Sequence, residues 1–110
     1  DVSKRFKLNL KLANPNEEPL LFILSAATSK QEEMGTPSGY EDTPDASFLT
    51  LDSSEIKVKG ESIKRVGLFL QFPNEEQYKN KKYQFIVAAQ VAGAPLILRR
   101  LARVFVQTRP

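Results

Sequence analysis

Histidine, cysteine and tryptophan are absent from the 110 residues, and methionine occurs once. Without imidazole, no side chain titrates unaided near neutrality. Without thiols there are no disulfides, no cysteine nucleophile and no structural zinc site. These gaps remove the usual equipment of small-domain enzymes. They also argue against a secreted domain held by disulfide staples, while fitting a reducing cytosol and a bacterial cell surface equally well. Long apolar runs are missing too. No run exceeds the five residues of Leu20 to Leu24, a quarter of the roughly 20 residues a membrane helix needs, so no transmembrane segment is expected. Charge of one sign is not abundant: 16 Lys and Arg stand against 13 Asp and Glu, for a net charge of +3. That surplus is too small to declare a nucleic-acid or membrane partner by itself. The chain opens on Asp1 rather than Met, which suggests a processed or excised piece.

What is present is period-two alternation. A chain of this length fits one compact domain over residues 1–110. In Arg5 to Ala13, Phe6, Leu8, Leu10 and Leu12 alternate with Arg5, Lys7, Asn9 and Lys11, a strand with one wet face. Asn14-Pro15-Asn16-Glu17-Glu18-Pro19 is loop chemistry. Leu20 to Ser29 is nearly all apolar and predicts a central strand covered on both sides. Ser47 to Leu51 and Glu55 to Lys59 are short strand candidates around an Asp52-Ser53-Ser54 turn. Ser62 to Phe72 alternates Val66, Leu68, Leu70 and Phe72 against Arg65, Gly67, Phe69 and Gln71. Tyr83 to Val91 alternates again, with Tyr83, Phe85, Val87, Ala89 and Val91 inward.

Two stretches resist this pattern. Lys30 to Ala46 contains Gly35, Gly39, Pro37 and Pro44 with five acids, and predicts one long mobile loop. Loops beyond about 12 to 15 residues are uncommon in compact domains and are usually functional or disordered. Leu96 to Thr108, entered from an Ala92-Gly93-Ala94-Pro95 hairpin turn, fits two periods. As a strand it puts Arg100 on the apolar side, which requires a bulge or an edge position. As a helix it gathers Ile97, Leu98, Leu101, Val104 and Phe105 on one face, making a basic amphipathic segment. Val104-Phe105-Val106 and the preceding turn favour the strand. About seven or eight strands, with turn signals roughly every 8 to 12 residues, describe an all-β, antiparallel immunoglobulin-like sandwich.

The order of features resembles the immunoglobulin-like domains of the PapD and major-sperm-protein kind, as found in bacterial surface proteins. The residues that carry the likeness are Leu12-Ala13-Asn14, Pro19-Leu20-Leu21-Phe22, Val58-Lys59-Gly60-Glu61-Ser62, Leu70-Gln71-Phe72-Pro73 and Tyr78-Lys79-Asn80-Lys81-Lys82-Tyr83-Gln84-Phe85. These are turn and strand signals that many sandwiches share. The resemblance implies a non-catalytic module serving as spacer, adhesion element or assembly part. Chaperone members carry a paired Arg and Lys that anchor a subunit's C-terminus, and no such pair is placed on this sequence.

Catalytic readings are thin. Gly35-Thr36-Pro37-Ser38-Gly39 puts its Ser one position late for a nucleophile elbow, and no His could activate it. Ser29 beside Lys30 points apart from it on a strand. The pairs Glu32 with Glu33 and Glu41 with Asp42 need a desolvating cleft to act as acid and base, and otherwise are solvated loop acids. Glu41, Asp42 and Asp45 are oxygen donors that would suit calcium, in a spacing unlike an EF-hand loop; no cofactor or metal is predicted.

The charged surfaces say more. If the first and last strands are neighbours, the outward Arg5, Lys7 and Lys11 join Arg99 and Arg103 in one basic stripe, suited to an anionic polymer or an acidic protein surface. The bland alternative is that these charges keep exposed edges from pairing with other chains. The stripe lacks the interleaved exposed aromatics of a nucleic-acid stacking platform, which argues against nucleic acid. Residues 30–46 sum to minus four and residues 96–110 to plus four, a complementarity that would suit head-to-tail contacts between copies. Phe69 and Ile86, on the outward parity of their strands, add a candidate apolar contact patch.

The sequence thus predicts a non-enzymatic structural or protein-interaction module of a larger extracytoplasmic assembly, at the cell surface or in the periplasm, with a protein or copies of itself as partner. Its candidate surface comprises Lys7, Lys11, Arg99, Arg100 and Arg103, with Tyr40, Glu41 and Asp42 at the tip of the long loop. The alternative is a binding module for carbohydrate or an anionic cell-envelope polymer. Tyr40, Tyr78 and Tyr83 are then the only aromatics with a polar handle.

Overall fold

The computed structural model describes residues 5–93 and 99–109. Over these residues the chain is an all-β sandwich of eight strands, and its helical structure is limited to two short 3-10 turns, Ala46–Phe48 and Glu76–Tyr78. The strands are β1 (Phe6–Asn14), β2 (Leu20–Ala27), β3 (Glu41–Asp42), β4 (Leu49–Leu51), β5 (Glu55–Val58), β6 (Ser62–Leu70), β7 (Lys82–Val91) and β8 (Arg100–Gln107). One sheet has the order β1-β6-β4. The other runs β5-β2-β7-β8, with β3 alongside the start of β7. All pairings are antiparallel except β3 with β7.

Period-two alternation places the core between the sheets. β1 and β6 pair over nine positions, from Phe6 with Leu70 to Asn14 with Ser62, so Leu10 and Leu12 fall on the same face as Val66, Leu68 and Leu70. Two buried clusters result. One holds Leu12, Phe22, Leu24, Ile56, Val58, Val66 and Ala89. The other holds Leu49, Leu68, Leu70, Phe72, Tyr83, Phe85 and Val87. Leu10 and Leu51 pack against both. Phe72 is the hub of the second cluster, with ring contacts to Phe48, Tyr78, Tyr83 and Phe85 at centroid distances of 5.3, 5.8, 5.4 and 6.1 Å.

Several expectations need correction. β2 lies between two strands but is not covered on both sides, since Leu21 and Ile23 are exposed on its outer face. It is β7 that is buried on both faces, from Tyr83 to Ala89. Ile86 is fully buried, and the half-buried Phe69 has the Arg5 guanidinium over its ring at 3.9 Å. The two therefore do not form an outward apolar patch. The last element is a strand from Arg100 to Gln107, at the edge of its sheet as the placement of Arg100 required. Its first residues, Leu96 to Leu98, and half of the proposed hairpin turn lie outside the described residues.

One buried side chain ties the two ends of β1 and β5 together. Asn14 Nδ2 donates to the carbonyls of Glu18 (2.8 Å), Val58 (3.1 Å) and Lys59 (3.2 Å), and its Oδ1 accepts from the Asn16 backbone (3.0 Å). The two loops it joins are in backbone contact. The Glu61 amide donates to the Asn16 carbonyl at 2.8 Å, and a Cβ on Gly60 would sit 1.8 Å from the Glu17 carbonyl oxygen, so no larger residue fits there. Replacing Asn14 by Ala leaves buried carbonyls without a donor. The variant is expected to lose about 1–3 kcal/mol of unfolding free energy in urea titrations, with the denaturant slope unchanged.

Candidate functional site

The long segment after β2 is not a mobile loop. It is a strap, held at several points along the outer side of β7 and β8. Its anchor is Gln84 on β7, which is fully buried although it faces away from the core. Gln84 Nε2 donates to Ser29 Oγ at 2.8 Å and to the Gly35 carbonyl at 3.1 Å, and its Oε1 accepts from Arg103 Nη1 at 3.4 Å. A buried primary amide has two donors to place, and the strap supplies both partners. The Asp42 carboxylate accepts from the backbone amides of Ser29 (2.6 Å) and Lys30 (3.1 Å), closing the strap on itself.

Part of the charge complementarity read between residues 30–46 and residues 96–110 is met inside one chain. Glu32 and Arg99 form a two-pronged pair, Arg99 Nη1 with Glu32 Oε1 and Arg99 Nη2 with Glu32 Oε2 at 2.6 Å. Hydrogen bonding to Arg99 holds the Glu32 carboxyl below its ordinary value of 4.5, and the same contact pushes the Arg99 guanidinium up. Tyr40 lies against Phe105 of β8 with centroids 4.9 Å apart, and Glu41 reaches Lys81 at 3.9 Å. Tyr40, Glu41 and Asp42 are therefore not a loop tip. Glu41 and Asp42 form β3, paired with Tyr83 and Gln84.

The structure also divides the predicted basic stripe. Lys7 and Lys11 lie on β1 in the three-stranded sheet, while Arg100 and Arg103 lie on β8 in the other sheet, with Arg99 just before it. Of these, Arg99 and Arg103 are engaged by Glu32 and Gln84. Ser29 is buried and its hydroxyl is held by Gln84. Among the described residues no group of three or more acids is placed to hold a metal ion, and Asp45 is engaged instead with the Ser47 amide and hydroxyl.

What the sequence reading did not anticipate is a groove where the two sheets part. Phe6 and Leu8 at the start of β1, Leu70 and Phe72 beneath, and Phe105 and Val106 of β8 line a cavity of about 320 Å³, flanked by Lys7, Gln107, Thr108 and Arg109. Phe6 and Phe105 remain 43% and 48% exposed. Among the described residues β1 and β8 each pair on one side only, with β6 and β7, so two strand edges border the groove. The far end of β8 is fixed: Thr108 Oγ donates toward the Tyr78 carbonyl (2.5 Å), and the Thr108 amide donates to the Lys81 carbonyl (2.8 Å). The signal for the groove lies in Phe6 and Leu8, apolar residues on the inward parity of a first strand, but alternation alone does not say that they stay partly exposed.

The Glu32 pair with Arg99 gives the strap's hold an expected pH dependence of defined sign. Because the Glu32 carboxyl is lowered in the folded state, its contribution is complete above 4.5 and is lost as pH falls through the lowered value. Hydrogen exchange at the Met34 amide, bonded to the Ser29 carbonyl at 2.8 Å, is expected to accelerate, beyond the intrinsic pH trend, once pH falls below the ordinary Glu32 value of 4.5 and through the lowered one. Glu32→Gln should show that loosening already at neutral pH.

No family model matches the chain, and no curated protein matches it. Among solved structures it is similar to the crystal structure of the Pseudomonas aeruginosa CupB2 chaperone, with a TM-score of 0.62 and 11% sequence identity. The match covers 93% of this chain and 47% of that one, so this chain spans about half the chaperone's length. The likeness is one of fold: the chain shares the β-sandwich architecture of that chaperone.

Proposed function

We propose that this domain is a non-catalytic protein-interaction module of an extracytoplasmic assembly, and that its binding site is the apolar groove between β1 and β8. The observation that carries the reading is the meeting of two open strand edges with a groove lined by Phe6, Leu8, Leu70, Phe72, Phe105 and Val106. Exposed strand edges beside apolar surface invite another chain, and proteins that do not use them ordinarily blunt or cover them. An extended segment would gain backbone hydrogen bonds from an edge and bury alternate side chains in the groove, the mode known as strand addition. The fold shared with a chaperone supports a protein partner. None of the described helices is long and apolar enough to cross a membrane.

A carbohydrate reading has less support. Tyr78 and Tyr83 are built into the aromatic cluster around Phe72, and Tyr40 is covered by Phe105 on one side with the Lys82 ammonium 5.7 Å from its ring centroid. These rings do not form a common platform.

Site-specific photo-crosslinking tests the proposal. Phe6 in the groove and Ile23 on the outer face of β2 are equally exposed, at 43%. With a benzophenone side chain at either position, incubation with cell-envelope extract of the source organism should give a discrete polypeptide adduct from position 6 and none from position 23. Equal labelling at both positions, or none at either, would refute the groove as a binding site.

A further inference from the structure

We infer that the groove's occupant is an extended acidic segment of a partner protein that adds to the open edge of β1, its apolar residues turned into the groove and its carboxylates turned to the outer face of the three-stranded sheet. The inference rests on the groove being a protein-binding site and assigns the edge and the chemistry.

Of the two bordering strands, β8 is already engaged on its outer face. Arg99 before it is paired with Glu32, Arg103 donates to Gln84, and Phe105 packs against the tilted Tyr40 ring. β1 is in a different state. Across its outer face, Arg5, Lys7 and Lys11 alternate with the apolar residues that face inward. On the neighbouring β6, Arg65 lies directly opposite Lys11. Like charges directly opposite one another destabilise a sheet pair unless an anion lies between or beside them. Arg5 and Lys7 stand over the Phe69 ring at 3.9 and 5.8 Å from its centroid, which positions both without neutralising either. None of Arg5, Lys7, Lys11 and Arg65 has a carboxylate partner among the described residues. Lys7 Cε and the Asp52 carboxylate both lie over Gly67, 3.2 and 3.6 Å from where its Cβ would stand, so Lys7 leans across β6 toward Asp52 without reaching ion-pair distance.

The two halves of the requirement share one geometry. A strand laid along β1 at the usual spacing of about 4.8 Å alternates its side chains in step with β1. One set would enter the groove beside Phe6 and Leu8, and the other would lie beside Lys7 and Lys11. A segment that alternates apolar residues with Glu or Asp satisfies both, at every second position. A second copy of this chain pairing β1 with β1 would instead bring Arg5, Lys7 and Lys11 against their own duplicates. A polyanion without apolar side chains would leave the groove unfilled.

The probe is a fluorescein-labelled nine-residue peptide, matched to the nine residues of β1, that alternates valine with glutamate; a second peptide replaces each glutamate by lysine. Anisotropy titration should show binding of the acidic peptide only. Affinity should fall about tenfold or more in the Lys7→Glu, Lys11→Glu double variant, whose circular dichroism and melting curve serve as the folding control. Binding should also weaken as salt rises from about 0.05 to about 0.5 M. Hydrogen exchange should slow at β1 amides and remain unchanged at β8 amides. Unaltered affinity in the double variant, equal binding of the lysine peptide, or protection on β8 in place of β1 would overturn the assignment of edge and charge while leaving the groove as a site. Crosslinking from position 6 reports on the groove independently, so loss of that signal would mark failure of the broader reading.

Discussion

The buried amide of Gln84 constrains more of this molecule than any other polar group. It sits on the outward side of β7 with no exposed surface, where each unsatisfied polar atom costs about 1–3 kcal/mol. Its two donors are satisfied by Ser29 and Gly35 and its acceptor by Arg103, so the segment after β2 must lie across the strand for the sheet to exist in this form. Once that segment is in place, Glu32 meets Arg99, Tyr40 meets Phe105, and β3 pairs with the start of β7. A stretch rich in glycine, proline and acids thereby becomes a structural layer of the sandwich.

The strap also sets the asymmetry of the surface. Because it uses the arginines around the start of β8 internally, the cations left without carboxylate partners among the described residues include Arg5, Lys7, Lys11 and Arg65 on the opposite sheet. The groove between β1 and β8 is therefore bordered on one side by a strand whose outer face is already occupied and on the other by a strand whose first apolar residues, Phe6 and Leu8, are exposed and whose outward cations lack an ion pair among the described residues. A sandwich with complementary surface charges can satisfy them within itself or between molecules, and here the acidic segment is close enough in space to do the former.

Much of the architecture was legible because alternation maps directly onto faces. Phe6 to Leu12, Val66 to Leu70 and Tyr83 to Val91 lie on the strands and in the parities their spacing indicates, with the core where those parities converge. Three things were hidden. The apolar stretch of β2 gave no sign that Leu21 and Ile23 face outward, since a run of large apolar residues has no parity to read. The strap depends on Gln84 and Glu32, whose partners lie 55 and 67 residues away in the chain, and such pairings leave no local signature. The placement of β1 and β8 in separate sheets, which splits the basic residues into two groups, is a matter of topology. Short-range patterns specify which residues face inward but not which strands become neighbours.

The pairing of Phe6 with Leu70, and of β2 with β7, has a temporal consequence. Both partnerships join early strands to late ones, so neither sheet can close until most of this domain has emerged from the ribosome. Contacts between distant parts of a chain slow folding and prolong the lifetime of states with unpaired strands and bare apolar surface. During that interval β2, with Leu21 and Ile23 on one side and Phe22 and Leu24 on the other, is a segment prone to sticking to its neighbours. A nascent copy would thus depend on holdase cover, or on rapid completion, for its yield.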